Sequence, residues 1–191
     1  MNAVKWLVRI LIAIALLPVA ATAVLWVAGE RANHGLNAAE VEINRPAAQV
    51  FRYLTDDELV KKWVGGLTEI KPVEIYPGHV GDKLRMTVVL GDEKTEMEMQ
   101  VTSFEENRHI GFTITSLPGA SAAFYEKSEY ILNEKEGRTH LSLSGRSQYY
   151  GLLTRLMEPV ITWEAQKKLR EDLQRLKGLV EAEPVMTSDL R

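Results

Sequence analysis

The sequence predicts an α+β domain: an antiparallel sheet of about seven strands covered on one face by one long C-terminal helix, with an apolar helix ahead of it. Three observations predict this. Residues 10–28 form an uncharged apolar run. From Leu67 to Tyr149 the apolar residues recur with period two between regularly spaced turn signals. From Gly151 the period becomes helical and holds to Val180.

The composition is that of a globular chain, 46% hydrophobic and 26% charged over 191 residues. The net charge is −3, and Lys5 and Arg9 precede the first acid, so the remainder is more acidic still. A nucleic-acid partner is not expected, because a mildly acidic domain has no basic face to neutralise phosphates. The absence of cysteine excludes disulfides, thiolate zinc sites, Fe–S clusters and cysteine nucleophiles.

The N-terminal run, Ile10 to Ala28, carries no charge and one hydroxyl, Thr22. As a helix its length is about 28 Å, close to the hydrocarbon thickness of a bilayer. Trp6 and Trp26 lie near its ends, and Lys5 and Arg9 flank its N-terminal side. These features predict a single-pass anchor with the N-terminus in the cytoplasm and the domain on the other side. A signal peptide is the competing reading, with Ile10 to Leu17 as its core and Ala21-Thr22-Ala23 as a cleavage site. The run continuing through Val27 counts against cleavage there. A buried core helix is the third reading, and a segment apolar all round fits it poorly. The expected organisation is residues 1–29 as anchor or uncleaved signal, 30–39 as linker, 40–181 as the folded domain and 182–191 as a loose tail.

In the folded part, Val41 and Ile43 alternate with polar residues and predict a first strand. Pro46 opens a helix whose apolar face carries Val50, Phe51 and Leu54. Thr55-Asp-Asp-Glu58 has capping-box form and predicts a second short helix bearing Leu59 and Trp63, ended by Gly65-Gly66. Six strands follow: Thr68–Tyr76, Asp82–Leu90, Lys94–Phe104, His109–Ser116, Ala122–Asn133 and Thr139–Tyr149. Turn signals such as Pro77-Gly78, Gly91-Asp92, Pro118-Gly119 and Glu136-Gly137 separate them, and short connections predict antiparallel neighbours. Leu152, Leu156, Val160 and Trp163, continued by Leu169, Leu173, Leu176 and Val180, predict the final helix, which Pro159 should kink or interrupt. A sheet of this size needs one face covered, and this helix alone is long enough to cover it.

This order of elements resembles the START-like (SRPBCC) superfamily, which includes polyketide cyclase/dehydrase-like and lipid-transfer proteins. The resembling stretches are Val41-Glu-Ile-Asn-Arg-Pro46 with Val50-Phe51, Asp57 to Trp63, Gly137-Arg-Thr-His-Leu141 and Lys168 to Lys177. The resemblance implies a helix-grip fold. It also implies an apolar cavity between a curved sheet and the last helix. Members bind lipids, sterols, polyketides, quinones or plant hormones, and some are enzymes; no universal catalytic set exists to carry across.

With a cavity implied, the apolar rows become candidate linings. Leu84, Met86, Val88 and Leu90 share one strand face, as do Met97, Met99 and Val101, then Ile110, Phe112 and Ile114. Methionines on adjacent strands give an adaptable lining for an apolar ligand; ordinary core packing is the plain alternative. The strand from Ala122 carries Phe124, Glu126, Ser128, Tyr130 and Leu132 on one face and Tyr125, Lys127, Glu129 and Ile131 on the other. Either face brings a carboxylate inward, and one in the cavity could hold a ligand hydroxyl or act as a general acid or base. Arg146 and Gln148, on the next strand, could pair with it. Trp63 is read as a pocket lid or as packing. The candidate ligand-binding set is therefore Trp63, Met86, Val88, Met97, Met99, Phe112, Ile114, Phe124, Glu126, Tyr130, Arg146 and Met157.

No catalytic constellation, metal site or cofactor is expected. The four histidines are scattered, and no phosphate loop, dinucleotide fingerprint or nucleophile elbow occurs. The expected function is a membrane-anchored binder or carrier of an apolar small molecule such as a lipid, quinone or isoprenoid. A cyclase, aromatase or dehydrase using the same cavity, and a protein-partner module with a closed cavity, are the alternatives.

Overall fold

The computed structural model describes residues 35–118 and 123–185, with Trp6, Ile12, residues 16–19 and Ala23. The expected membrane helix over Ile10–Ala28 therefore lies almost wholly outside the described residues. Those of its residues that are described are helical and exposed. Among the described residues no helix is long and apolar enough to cross a membrane.

The elements are β1 (Gly35–Ile43), α1 (Ala47–Thr55), α2 (Asp57–Trp63), β2 (Leu67–Glu74), β3 (Lys83–Leu90), β4 (Glu93–Glu105), β5 (His109–Ser116), β6 (Ala123–Lys135), β7 (Arg138–Tyr150) and α3 (Leu152–Ala182). The seven strands form one antiparallel sheet in the order β1-β7-β6-β5-β4-β3-β2. Strands β2 to β7 are a meander of hairpins, and β1 pairs along β7. Helix α3 lies against β1 and β7, while α2 packs beside β2. This is the helix-grip arrangement.

Local chemistry shifts several expected boundaries. β1 begins at Gly35, inside the stretch read as linker, because Gly35 to Ile43 pair residue for residue with Ser147 to Thr139. The α2 cap is Asp56, one residue later than Thr55. Its carboxylate accepts from the N–H groups of Glu58 and Leu59, at 2.9 and 3.1 Å. Thr55 instead donates back to the Phe51 carbonyl. Pro159 does not interrupt α3, which runs unbroken from Leu152 to Ala182. Lying in the second turn, it removes a single backbone bond from a helix of 31 residues.

The core is concentrated where the C-terminal half of α3 meets α1, α2 and the lower sheet. Leu173, Leu176 and Val180 pack with Ile43, Val50, Phe51, Trp63 and Leu141. The start of the expected loose tail is held as well. Glu183 pairs with Arg52 at 2.6 Å and accepts from the Tyr53 hydroxyl at 2.7 Å, and Arg45 bonds the carbonyls of Glu181 and Glu183. Residues 186–191 lie outside the described residues.

The two halves of α3 differ. From Leu169 onward the apolar line faces inward, as the spacing predicts. Before Leu169 the predicted line is out of phase: Val160 is 53% and Trp163 62% exposed, while Glu158 is buried.

Candidate functional site

The register decides which face of β6 points inward. Ile110 lies opposite Tyr130, Phe112 opposite Ser128 and Ile114 opposite Glu126. Ser128 is in turn opposite Gly145, and Glu126 opposite Ser147. Ile110 and Phe112 belong to the core, with Ile114 and Tyr130 packed on it. The face bearing Phe124, Glu126, Ser128 and Tyr130 is therefore the one that α3 covers, and Lys127 and Glu129 lie on the other.

Glu126 is the centre of a polar cluster on this apolar face. Its carboxylate accepts hydrogen bonds from Ser128 Oγ at 2.6 Å and Ser147 Oγ at 2.7 Å. Ser147 is almost fully buried and also accepts from Asn37 Nδ2 at 3.3 Å. The Asn37 Oδ1 atom is buried and has no hydrogen-bond partner. Gly145 makes the arrangement possible. A Cβ there would lie 2.2 Å from Ser128 Oγ and 3.2 Å from Glu126 Oε1, so only glycine leaves the pair its space.

Two further groups join from the end of β7 and from α3. Tyr149 is buried beside the Ser147 and Thr162 hydroxyls. Burial is the largest cause raising its pKa, and the charges of Glu126 and Glu158 raise it further. The phenol is therefore a neutral hydrogen-bonding group. Glu158, in the second turn of α3, is buried. Gly35, whose Cβ would come within 3.1 Å of Thr162 Oγ1, lets this half of the helix approach β1.

Below the cluster the surroundings turn apolar. Tyr130 stacks at a tilt on Phe112 (5.3 Å between centroids) and meets Trp63 edge-on at 6.4 Å. Burial drives its pKa well above the ordinary tyrosine value, yet the residue keeps accessible surface.

The sequence-derived candidates divide accordingly. Met86, Val88, Met97, Met99, Phe112, Ile114, Phe124, Glu126 and Tyr130 lie on the inward sheet face; cross-strand pairs such as Met86↔Met97, Met99↔Ile114 and Ile114↔Glu126 hold them together. Trp63 is a core residue rather than a lid. It is 2% exposed, and its indole N–H donates to the Tyr53 carbonyl at 2.8 Å. Arg146 does not pair with Glu126; it is exposed opposite Lys127, because residues alternate across β7. Met157 points outward and is 46% exposed.

Asn37, Ser147 and Glu158 are additions to what the sequence predicts. Asn37 lies in the stretch read as linker, and Glu158 reads as solvated in a helical pattern with charges on either side. Among the described residues no group of His, Asp and Glu could hold a metal.

Comparison with known proteins agrees with this architecture. The family described as polyketide cyclase / dehydrase and lipid transport matches residues 38–181. No curated protein sequence matches the chain. Among solved structures, a protein from Thermus thermophilus superimposes with a TM-score of 0.62 at 16% identity, covering 77% of this chain and 97% of its own. A conserved protein from Geobacillus kaustophilus gives 0.64 at 13%, covering 76% and 94%. The Zhui aromatase/cyclase from Streptomyces sp. R1128 gives 0.62 at 15%, covering 76% and 93%. At these identities the likeness is one of fold.

Proposed function

Because the chain belongs to the polyketide cyclase / dehydrase and lipid transport family, we propose that it binds and carries an apolar small molecule between the sheet and α3. The ligand is of lipid, quinone or isoprenoid type and presents a hydrogen-bond donor to the Glu126 cluster. The single observation that carries this reading is the placement of Glu126. It is a carboxylate held by two serine hydroxyls, next to an unpartnered Asn37 carbonyl oxygen, on an otherwise apolar inward face. Acceptors outnumber free donors there, so a ligand hydroxyl or amine is matched and a carboxylate or phosphate is repelled. The methionines and aromatic rings below take the apolar body.

The N-terminal run Ile10–Ala28 is the proposed membrane anchor, with the domain on the extracytoplasmic side. The length of the run, its basic flank and its terminal tryptophans support this.

A second reading is an enzyme of the cyclase, aromatase or dehydrase sort, favoured by the convergence of Glu126, Tyr149 and Glu158. In it Glu126 takes a proton and the neutral Tyr149 supplies one.

The test is to purify the full chain from membranes and identify by mass spectrometry the small molecules retained by wild type and by Glu126→Gln. The carrier reading expects a discrete apolar molecule with a hydroxyl or amine, released unchanged and held about ten-fold more weakly by the variant. Retention of equal strength by both forms refutes the role of Glu126. Chemical conversion of the bound molecule by wild type alone moves the assignment to the enzyme.

A further inference from the structure

The first half of α3 has its polarity inverted. Glu158 and Thr162 face the sheet, while Leu153, Met157, Val160 and Trp163 face outward with exposures of 75%, 46%, 53% and 62%. At 3.6 residues per turn these four lie along one side of the helix, over a length of about 15 Å. Lys167 continues the stripe, with its Nζ 5.9 Å from the Trp163 ring centre. A large outward tryptophan beside a lysine, above a row of aliphatic side chains, is the residue set of an interfacial helix.

The chain's path says what covers this stripe. The first described residue of the sheet, Gly35, lies against Thr162, and the carbonyl of Leu36 accepts from Gln166 Nε2 at 2.8 Å. The domain is therefore entered beside the same half of α3. Only residues 29–34 separate that point from the apolar run ending at Ala28. Fully extended, the seven steps from Ala28 to Gly35 span at most about 25 Å. A bilayer that holds residues 10–28 holds the first half of α3 within reach of its surface.

We propose that the outward stripe Leu153–Met157–Val160–Trp163 docks into the lipid surface of the membrane that carries the anchor. Docking sets the end of the domain bearing Glu126, Tyr149 and Glu158 against the bilayer, where an apolar ligand enters or leaves without crossing water. The proposal rests on the anchored-carrier reading. The domain is acidic, so the contact is apolar in origin. It forms on zwitterionic lipid and resists salt.

The chain has no cysteine, so single-cysteine variants accept one fluorophore each. Full-length Met157→Cys, Val160→Cys and, as a control, Lys135→Cys at the far end of β6 are reconstituted in phosphatidylcholine vesicles. Flotation is measured first, then quenching by lipid spin-labelled near the head group. The expected result is flotation of all three, with quenching of at least two-fold at 157 and 160, none at 135, and no change on adding salt. Flotation without quenching at 157 and 160 overturns the docking while leaving the anchor standing. If those labels are then also shielded from a water-soluble quencher, a protein segment covers the stripe instead. Failure to float overturns both the docking and the anchored reading.

Discussion

Gly145→Ala puts the site's geometry under direct strain. A methyl group at 145 meets Ser128 Oγ at 2.2 Å, where ordinary contact begins near 3.4 Å, so Ser128 must rotate away. Rotation breaks its 2.6 Å bond to Glu126. A hydrogen bond to a charged group is worth about 1.5–3 kcal/mol, and replacing a strand glycine returns about 0.5–1 kcal/mol through the unfolded chain. The net loss is about 1–2 kcal/mol, or roughly 2–8 °C in melting temperature for a chain of this size. In a Ser128→Ala background the same methyl group meets only the Cβ at 3.3 Å and Glu126 Oε1 at 3.2 Å. There Gly145→Ala should be neutral or mildly stabilising. Thermal unfolding of the two single variants and the double variant measures this coupling. If Gly145→Ala melts at or above wild type, or costs as much with Ser128 absent as with it present, Gly145 does not hold the cluster open.

Two further outcomes follow from charges that the fold holds in place. Asp172 is buried and accepts from the Gly65 N–H at 3.0 Å, Lys168 at 2.6 Å and Arg175 at 2.9 Å, joining α2's end to α3. Asp172→Ala should lower stability to urea by about 2–3 kcal/mol, less than for a wholly buried pair because both cations reach solvent; a loss under about 1 kcal/mol would count against this joint. Glu181 has its pKa lowered, chiefly by the Asn44 N–H and then by Lys177. A folded-state value below the unfolded 4.5 means that its stabilisation is present above that pH and is lost as pH falls through the folded value. Glu181→Gln should therefore cost stability at neutral pH and flatten the acid limb of a denaturation series. Parallel wild-type and variant curves would contradict it.

Most of the fold is legible in the sequence because each element carries its own periodicity. The two-residue alternation from Leu67 onward and the turn signals between strands specify the meander, and the helical spacing specifies α3. The pairing of β1 with β7 is not legible. It joins residues about a hundred positions apart, and nothing local in Gly35 to Ile43 encodes it. The inward face of β6 is equally undetermined. Glu126 and Glu129 put a carboxylate on each face, and only Gly145 and Ser147 on the neighbouring strand distinguish them. Glu126 stands out because a lone acid among aromatic residues is conspicuous. Glu158 escapes notice because an acid in a helix with charges nearby reads as solvated. Arg146 is misplaced by one step of the strand, which is enough to send a side chain to the other face.

The inversion of α3 links the interior to the exterior. A helix that merely covers a sheet gains most by turning Met157, Val160 and Trp163 inward and Glu158 outward. A rotation of roughly half a turn about the helix axis would do this. The structure does the opposite over the first half and the expected thing over the second, with Leu173, Leu176 and Val180 buried in register. The second half fixes the rotation of the whole helix, because its apolar line is locked against Ile43, Val50 and Leu141. The first half inherits that rotation and must place its residues accordingly. A sequence under pressure only to be stable would put leucine at 158 and a polar residue at 160. The sequence observed instead carries the costs of a buried carboxylate and an exposed apolar row on the same three turns. Both costs are offset together if a polar ligand head group meets Glu126, Tyr149 and Glu158 inside while lipid meets the row outside. Exchanging the polarity of that half alone should then raise stability while abolishing ligand retention and lipid contact together.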